Sequence, residues 1–440
     1  MNLVYGVKDK PKFEQMLVFA FQQVLAILAA TIAVPSIVGN GMSQAAALFG
    51  AGVGTIVYQL FTKFRSPVFL GSSFAFIGSM VAAFAGAVSA SAGFAGLILG
   101  AVFAGLVYVV IAAAVKLVGV KWIDKLMPPV VIGPTVALIG LSLAGAAIKD
   151  VFSYGPQDAN GSFIMSAPIW ASLVCALVTL FVVVIVSTYA SKMIKLIPFI
   201  IGILAGYVVA LVFTWCGIPV IDFSVFENLQ IFAVPEFTFL EAFKGVKEID
   251  GAYIATVAVA YVPVAFVVFA EHIADHKNLS TIIDANLLEE PGLHRTLLGD
   301  GVGSIAGAFF GGCPNTTYGE SVGCVAITRN ASVVTITTAA IMCILISFFG
   351  PFVAFLDSIP GCVMGGVCVT LYGFIAVSGL KMIQKVDLNQ NKNLFVVASI
   401  LIPGIGGMAL AIGKVTLTAI ACALIMGIVT NLLVSKAKDE

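Results

Sequence analysis

Residues 316–323 read Thr316-Thr317-Tyr318-Gly319-Glu320-Ser321-Val322-Gly323, a β-branched and glycine-rich interruption carrying one carboxylate, set in a chain that is otherwise almost continuously apolar. An acid at membrane depth costs about 2.5–3.5 kcal/mol even on the mildest scale, so it usually faces a protected cavity and marks a substrate or proton path. Glu271, directly after the apolar run Ala252 to Ala270, is a second such acid. Two acids beside interrupted helices point to a transporter.

Working outward, the composition sets the class. Of 440 residues 60% are apolar and 10% charged, with a mean hydropathy of +1.10, whereas ordinary soluble domains carry about 25% charged residues. The chain therefore reads as an all-α polytopic membrane protein. The span-length rule places crossings at 14–38, 43–61, 67–84, 92–115, 127–148, 167–188, 196–216, 251–274, 296–313, 316–328, 331–350, 359–380, 393–412 and 415–435, about fourteen in all. Met1 to Lys12 lacks the apolar core of a cleavable signal peptide, so the first run is taken as the first span.

Net charge is zero, but its distribution is not even. With both ends cytoplasmic, only Lys149, Lys244, Lys247 and Lys414 fall outside and the other 18 of 22 basic residues fall inside, as the positive-inside rule requires. Nothing in this distribution suggests a nucleic-acid partner. The eight cysteines, Cys175, Cys216, Cys313, Cys324, Cys343, Cys362, Cys368 and Cys422, lack Cys-x-x-Cys pairing and read as packing residues. No metal site and no cofactor is expected.

The longest polar stretch, Gly217 to Asp250, is acidic and reads as an outside loop, with Ile231 to Thr238 as a short extended segment. About seven spans lie on each side of it, so the halves must run in opposite directions, the inverted-repeat plan of many secondary transporters. Ser66 to Phe76 in the first half and Gly312 to Glu320 in the second are both short, Gly/Pro-broken and β-branched or aromatic, and both sit at the third span of their half. Pro128-Pro129 with Gly133 and Gly140 opens the fifth span as Pro360 with Gly365 and Gly373 opens the twelfth. Irregular backbone cannot face lipid, so the two breaks should line a cavity, with half-helices starting near Phe74 and Glu320 and their free N–H groups pointing into it. Gly96-x-x-x-Gly100 reads instead as a close helix-packing stripe.

Glu271 is followed by His272, Asp275 and His276. Positions i and i+4 share a helix face, so Glu271 and Asp275 can look into one space, and desolvated neighbouring carboxyls exchange protons near neutral pH. Against this, Asp275, His276 and Lys277 also fit the wet end of the eighth span. His294 and Arg295 read as a solvated loop and helix start.

Gly71-Ser72-Ser73-Phe74-Ala75-Phe76-Ile77, Ala270-Glu271-His272, Pro291-Gly292-Leu293-His294-Arg295 and Pro314-Asn315-Thr316-Thr317-Tyr318-Gly319-Glu320 through Ala326-Ile327-Thr328-Arg329 resemble the bacterial uracil permeases of the nucleobase-ascorbate transporter family, also called the uracil/xanthine permease family. The likeness runs over essentially the whole chain in the same order. It implies fourteen helices in two inverted seven-helix repeats, with short antiparallel strands in the third and tenth spans. It also implies a core domain (1–125 and 251–350), a gate domain (126–216 and 351–440, the last residues a cytoplasmic tail) and an outer loop at 217–250. Residue by residue, it implies that Glu271 and Glu320 bind the nucleobase through their carboxylates and Phe74 and Gly319 through backbone N–H groups. Tyr318 and Ala30 would wall the pocket, Tyr372 would be a gate-side aromatic, and Glu271, Asp275 and His276 would carry proton coupling.

Three positions depart from the family pattern: Gln22-Gln23 stands where a Gln-His pair is usual, Asp275 where some uracil carriers have histidine, and Ser321 where asparagine is commonest. The expected activity is proton-coupled uracil uptake, not enzymatic, through an inner-membrane protein. Expected partners are uracil or a related nucleobase, a proton and the lipid bilayer, with a homodimer as an option. A xanthine or other purine carrier is the nearest rival, and an anion carrier or channel of similar architecture the next.

Overall fold

A computed structural model describes residues 3–119, 122, 128–191, 194–227, 229–412 and 415–435. Lys121, Lys125, Lys192, Lys414, Lys436 and Lys438, which enter the charge asymmetry above, lie outside the described residues. The chain runs through α1 (Phe13–Val38) and α2 (Gln44–Phe61) into the strand β1 (Leu70–Ser72), a 3-10 turn over Phe74–Phe76 and α3 (Ile77–Ala85). There follow α4 (Ala90–Val118), α5 (Pro129–Ser142), α6 (Ala144–Val151), α7 (Ala167–Tyr189), α8 (Pro198–Trp215) and the short α9 (Thr238–Gly245). The second half holds α10 (Gly251–Ile283), α11 (Leu293–Gly311), β2 (Asn315–Thr317), α12 (Gly319–Thr328), α13 (Val333–Ile346) and α14 (Gly350–Asp357). It closes with α15 (Gly361–Ile383), α16 (Asn391–Ile405), β3 (Leu410–Ile412), β4 (Val415–Leu417) and α17 (Ala419–Val434).

Among the described residues, eight helices are long and apolar enough to cross a membrane: α1, α2, α4, α5 together with α6, α7, α8, α10 and α15. Phe74–Ala85, α13, α16 and α17 are shorter apolar helices. The protein is thus a multi-pass helical membrane protein. Local chemistry starts several helices where the sequence suggests: Ser43, Ser89, Asp250 and Thr418 each accept a first-turn N–H, at 3.2, 3.1, 2.7 and 3.3 Å respectively.

Helices in lipid gain little from hydrophobic burial against one another, so small residues decide where they approach closely. Gly50 and Gly54 of α2 face Gly303, Gly307 and Gly311 of α11, and Asn315 Nδ2 donates to Gly50 O at 3.1 Å. Gly96 and Gly100 take the rings of Tyr253 and Tyr261 from α10. In one set of contacts α11 packs on α2 and α4, α10 on α4, and α13 on α1 and α2. In another, α15 packs on α5, α6 and α7, α7 on α8, and α16 on α17 and α5.

The two sequence breaks meet. β1 pairs antiparallel with β2 in the register Leu70↔Thr317, Gly71↔Thr316 and Ser72↔Asn315. Ser73 N donating to Pro314 O at 2.9 Å and Tyr318 N donating to Phe69 O at 3.2 Å extend the pairing at both ends. Every residue of both strands is buried, so their backbone groups need partners, and each strand supplies the other's. Gly312, at φ 75°, ends α11 in the left-handed region and turns the chain into β2.

Elsewhere the expectations need correction. The crossings drawn at 393–412 and 415–435 run too far toward each other: α16 stops at Ile405, and Leu410–Ile412 pairs with Val415–Leu417 as a hairpin before α17 starts at Ala419. Gly406-Gly407 with Thr416 and Thr418 favours extended and turn backbone over helix there. The extended segment at Ile231 to Thr238 is narrower than drawn. Ala233 N donates to Phe348 O at 3.0 Å and Gly350 N to Ile231 O at 3.0 Å, while Thr238 already opens α9. The leading residues also pair: Val4 N donates to Arg329 O at 2.8 Å and Ala331 N to Tyr5 O at 2.9 Å, so they lie along the turn between α12 and α13.

Candidate functional site

Glu320 stands in the first turn of α12, directly after β2, where the unpaired N–H groups and the positive end of the helix dipole favour a carboxylate. Phe74 opens the matching 3-10 turn directly after β1 and Ser73. The strand pair therefore holds two helix beginnings against one space. That space is a cavity of about 540 Å³ whose wall includes Glu271, Asp275, Glu320, Gly319, Tyr318 and Phe74. Val136, Phe199, Leu371, Phe374 and Ile375 from α5, α8 and α15 form an apolar wall, and the cavity extends to Lys195, Ile327 and Met382.

The strands fix this wall by specific bonds. Tyr318 OH donates to Ser72 O at 2.8 Å, and its ring lies over Gly71, where any Cβ would collide with it. Thr317 Oγ1 donates to Asp275 Oδ2 at 2.7 Å, tying α10 to β2. Ser321 Oγ accepts from Phe69 N at 3.0 Å and from the Gln23 side-chain amide, so one hydroxyl ties α1, the lead into β1 and the start of α12 together. Two of the family departures, Gln23 and Ser321, are thus direct partners.

Glu271 and Asp275 share the cavity-facing side of α10, as their spacing predicts. His272 and His276, each one residue later, share a side turned about 100° from it and do not line the cavity. His272 Nδ1 is 2.7 Å from Asp300 Oδ2, and its Nε2 is 2.9 Å from Thr296 Oγ1. His276 Nε2 is 2.6 Å from Tyr58 OH, its Nδ1 is 2.8 Å from His272 O, and the two imidazoles stack with centroids 4.0 Å apart. His272 and Asp300 are both fully buried.

Seven residues were expected at the substrate. Glu271, Glu320, Phe74, Gly319 and Tyr318 come together on one wall. Ala30 does not: it is buried among packed side chains, and Ala26, one turn earlier on α1, takes the wall position. Tyr372 lies behind the wall, its ring edge-on to Phe74 with centroids 6.2 Å apart. Of the residues expected to carry protons, Glu271 and Asp275 border the cavity, whereas His276 points away from it. Nor is His276 at a wet helix end: it is 1% exposed, while the next residue, Lys277, is exposed. Arg295 is better fixed than a solvated helix start, since its Nη1 donates to Phe61 O at 3.1 Å.

Asp300, Thr296, Tyr58 and Ser66 escaped the sequence reading. Asp300 could have been found by the rule that found Glu271, a lone acid inside a drafted span. Tyr58 and Ser66 could not, because they come from α2 and its following turn, more than 200 residues away in the chain from His276, which they contact.

A family model described as Permease family matches residues 14–413. The uracil permease of Bacillus subtilis (strain 168) is 38% identical over 439 residues, covering 99% of this chain and 96% of the relative. The uracil permease of Escherichia coli (strain K12) is 34% identical over 430 residues, covering 97% and 93%. Among solved structures, the transmembrane domain of the cyanobacterial bicarbonate transporter BicA aligns at TM-score 0.59 and 16% identity, covering 97% of this chain and 100% of that one. SLC26A9 aligns at TM-score 0.64 and 14% identity, covering 97% and 66%. At these identities the two structures speak for the fold alone.

Proposed function

This chain belongs to the uracil/xanthine permease family, the nucleobase-ascorbate transporters, and from that premise we propose that it carries uracil across the inner membrane with a proton, by alternating access. It is a nucleobase transporter and not an enzyme. The observation that carries the substrate reading is the single cavity wall bearing Glu271, Glu320 and the backbone of the two helix starts at Phe74 and Gly319. Uracil presents ring N–H donors alternating with carbonyl acceptors, and carboxylates beside backbone N–H groups are their complement. Hydrogen bonds to a charged partner contribute about 1.5–3 kcal/mol each, enough to orient so small a ligand. Phe74 and Tyr318 offer aromatic faces to the ring.

In this reading the chain forms fourteen crossings in two inverted repeats, with both termini cytoplasmic. Residues 1–125 and 251–350 form a core domain that moves against a gate domain formed by 126–216 and 351–440. The two sets of helix contacts, one around α11 and one around α15, support that division. The cavity then faces inward, because Lys195, Ile327 and Met382 sit at cytoplasmic ends. Glu271 and Asp275 are the proton-coupling candidates that border substrate. His276 is reassigned from carrying protons to supporting α10.

The shared fold with anion transporters keeps an anion carrier as the second reading. Three carboxylates on the wall count against it, and the one basic side chain there among the described residues, Lys195, is exposed and donates to Thr188 O at 2.8 Å. Radiolabelled uracil uptake into proteoliposomes tests the proposal. An inward proton gradient should accelerate it and excess xanthine or adenine should compete poorly. Uptake indifferent to the gradient ends proton coupling, and uptake blocked by purines assigns the site to them.

A further inference from the structure

The cavity reaches one end of the molecule, and a carrier must also open toward the other. In that direction the wall ends at Phe74, whose ring meets Tyr372 of α15 edge-on. Tyr372 is 2% exposed and its hydroxyl has no oxygen or nitrogen partner, although a buried phenol normally finds one. Beside it is the thiol of Cys368, one turn earlier on the same face of α15. Next comes half-buried Asp150 at the end of α6, brought against α15 by Gly365, where a Cβ would come 2.8 Å from the Asp150 carbonyl carbon. The file ends at Tyr154, 68% exposed, one turn beyond Asp150 and with its hydroxyl near the Asp150 carboxylate.

A row of polar groups graded from fully buried to exposed is costly in a protein whose exterior is lipid, and packing alone would be served by apolar residues. We propose that Tyr372, Cys368, Asp150 and Tyr154 line the outer half of the permeation path, shut in this conformation by the contact of Phe74 with Tyr372, and that Asp150 is the first docking point for the N–H groups of a neutral planar heterocycle. This rests on the transport reading above. The chemistry alternates along the file: the carboxylate accepts from ring N–H groups, and the two phenols donate to ring carbonyls. When Phe74 and Tyr372 part, the slot between them has an aromatic wall on each side, suited to passing a flat ring to the cavity.

Two measurements on the full-length protein test this. In proteoliposomes selected for outside-out orientation, a charged, membrane-impermeant methanethiosulfonate is added outside during uracil uptake, and modified cysteines are identified by peptide mass spectrometry. Cys216, exposed at the end of α8 on the same side in the proposed topology, is the internal control. Cys368, buried here, should be modified during turnover and protected without uracil. In the second, Asp150→Asn should raise the external uracil concentration for half-maximal uptake about tenfold, the loss expected for one charge-assisted bond, while equilibrium binding by the purified protein changes less than about twofold. Modified Cys216 with intact Cys368 during measured uptake overturns the proposal. So does an Asp150→Asn variant that shifts neither quantity or both alike. Absence of uracil uptake by the unmodified protein would instead sink the transport reading itself.

Discussion

The two faces of α10 differ more than their sequence suggests. Within six residues, Glu271 and Asp275 look into a cavity with, among the described residues, one fixed side-chain bond between them, from Thr317, whereas His272 and His276 have both ring nitrogens engaged. Every one of these side chains is expensive at membrane depth, so expense alone does not distinguish them. Partners do. A polar group whose bonds are completed inside the protein holds structure, and one left open toward a void is available to a ligand.

That contrast can be broken by substitution. The largest effect on stability is expected on the rear face. Asp300→Ala leaves His272 Nδ1 without its hydrogen-bond partner and should cost about 1–3 kcal/mol, the range for a buried polar group left unsatisfied. The readout is the thermal unfolding midpoint in detergent. A midpoint near wild type would mean that the pair holds little. On the cavity face, Glu271→Gln and Glu320→Gln should each remove about 1.5–3 kcal/mol of uracil binding, enough to abolish uptake at ordinary concentrations, while stability changes little. Calorimetric titration of the purified variants decides it, and wild-type affinity in both would take these acids out of the site. Asp275→Asn should change the pH profile of uptake more than affinity, since the amide keeps an acceptor for Thr317 but cannot exchange the proton. A superimposable profile would leave Asp275 a spectator. Smallest of all, Lys277→Ala on the exposed side should leave stability within about 0.5 kcal/mol and uptake unchanged.

Much of this was legible in the residues. The helix starts near Phe74 and Glu320, the shared face of Glu271 and Asp275, and most helix limits follow from apolar runs and the penalty on unpaired backbone in lipid. The hairpin at 410–417 did not, because hydropathy is indifferent to whether an apolar stretch is helix or strand, and only the glycine and threonine positions carried a signal there. His276 was open between a proton carrier and a wet helix end: it follows Asp275 by about 100° round α10, off the cavity-facing side, and its tertiary partner Tyr58 explains how it is buried. The exchange of Gln23 and Ser321 looked like two separate departures, and the contact between them makes it one.

The pairing of β1 with β2 has a consequence for biogenesis. Ser72 and Tyr318 are joined by a hydrogen bond across 246 residues of chain, so during synthesis the amino-terminal half must wait in the bilayer with an unmatched strand until its counterpart leaves the ribosome. A polypeptide severed in the 217–250 loop should therefore yield two fragments that are each blind to nucleobase and recover recognition only when produced together.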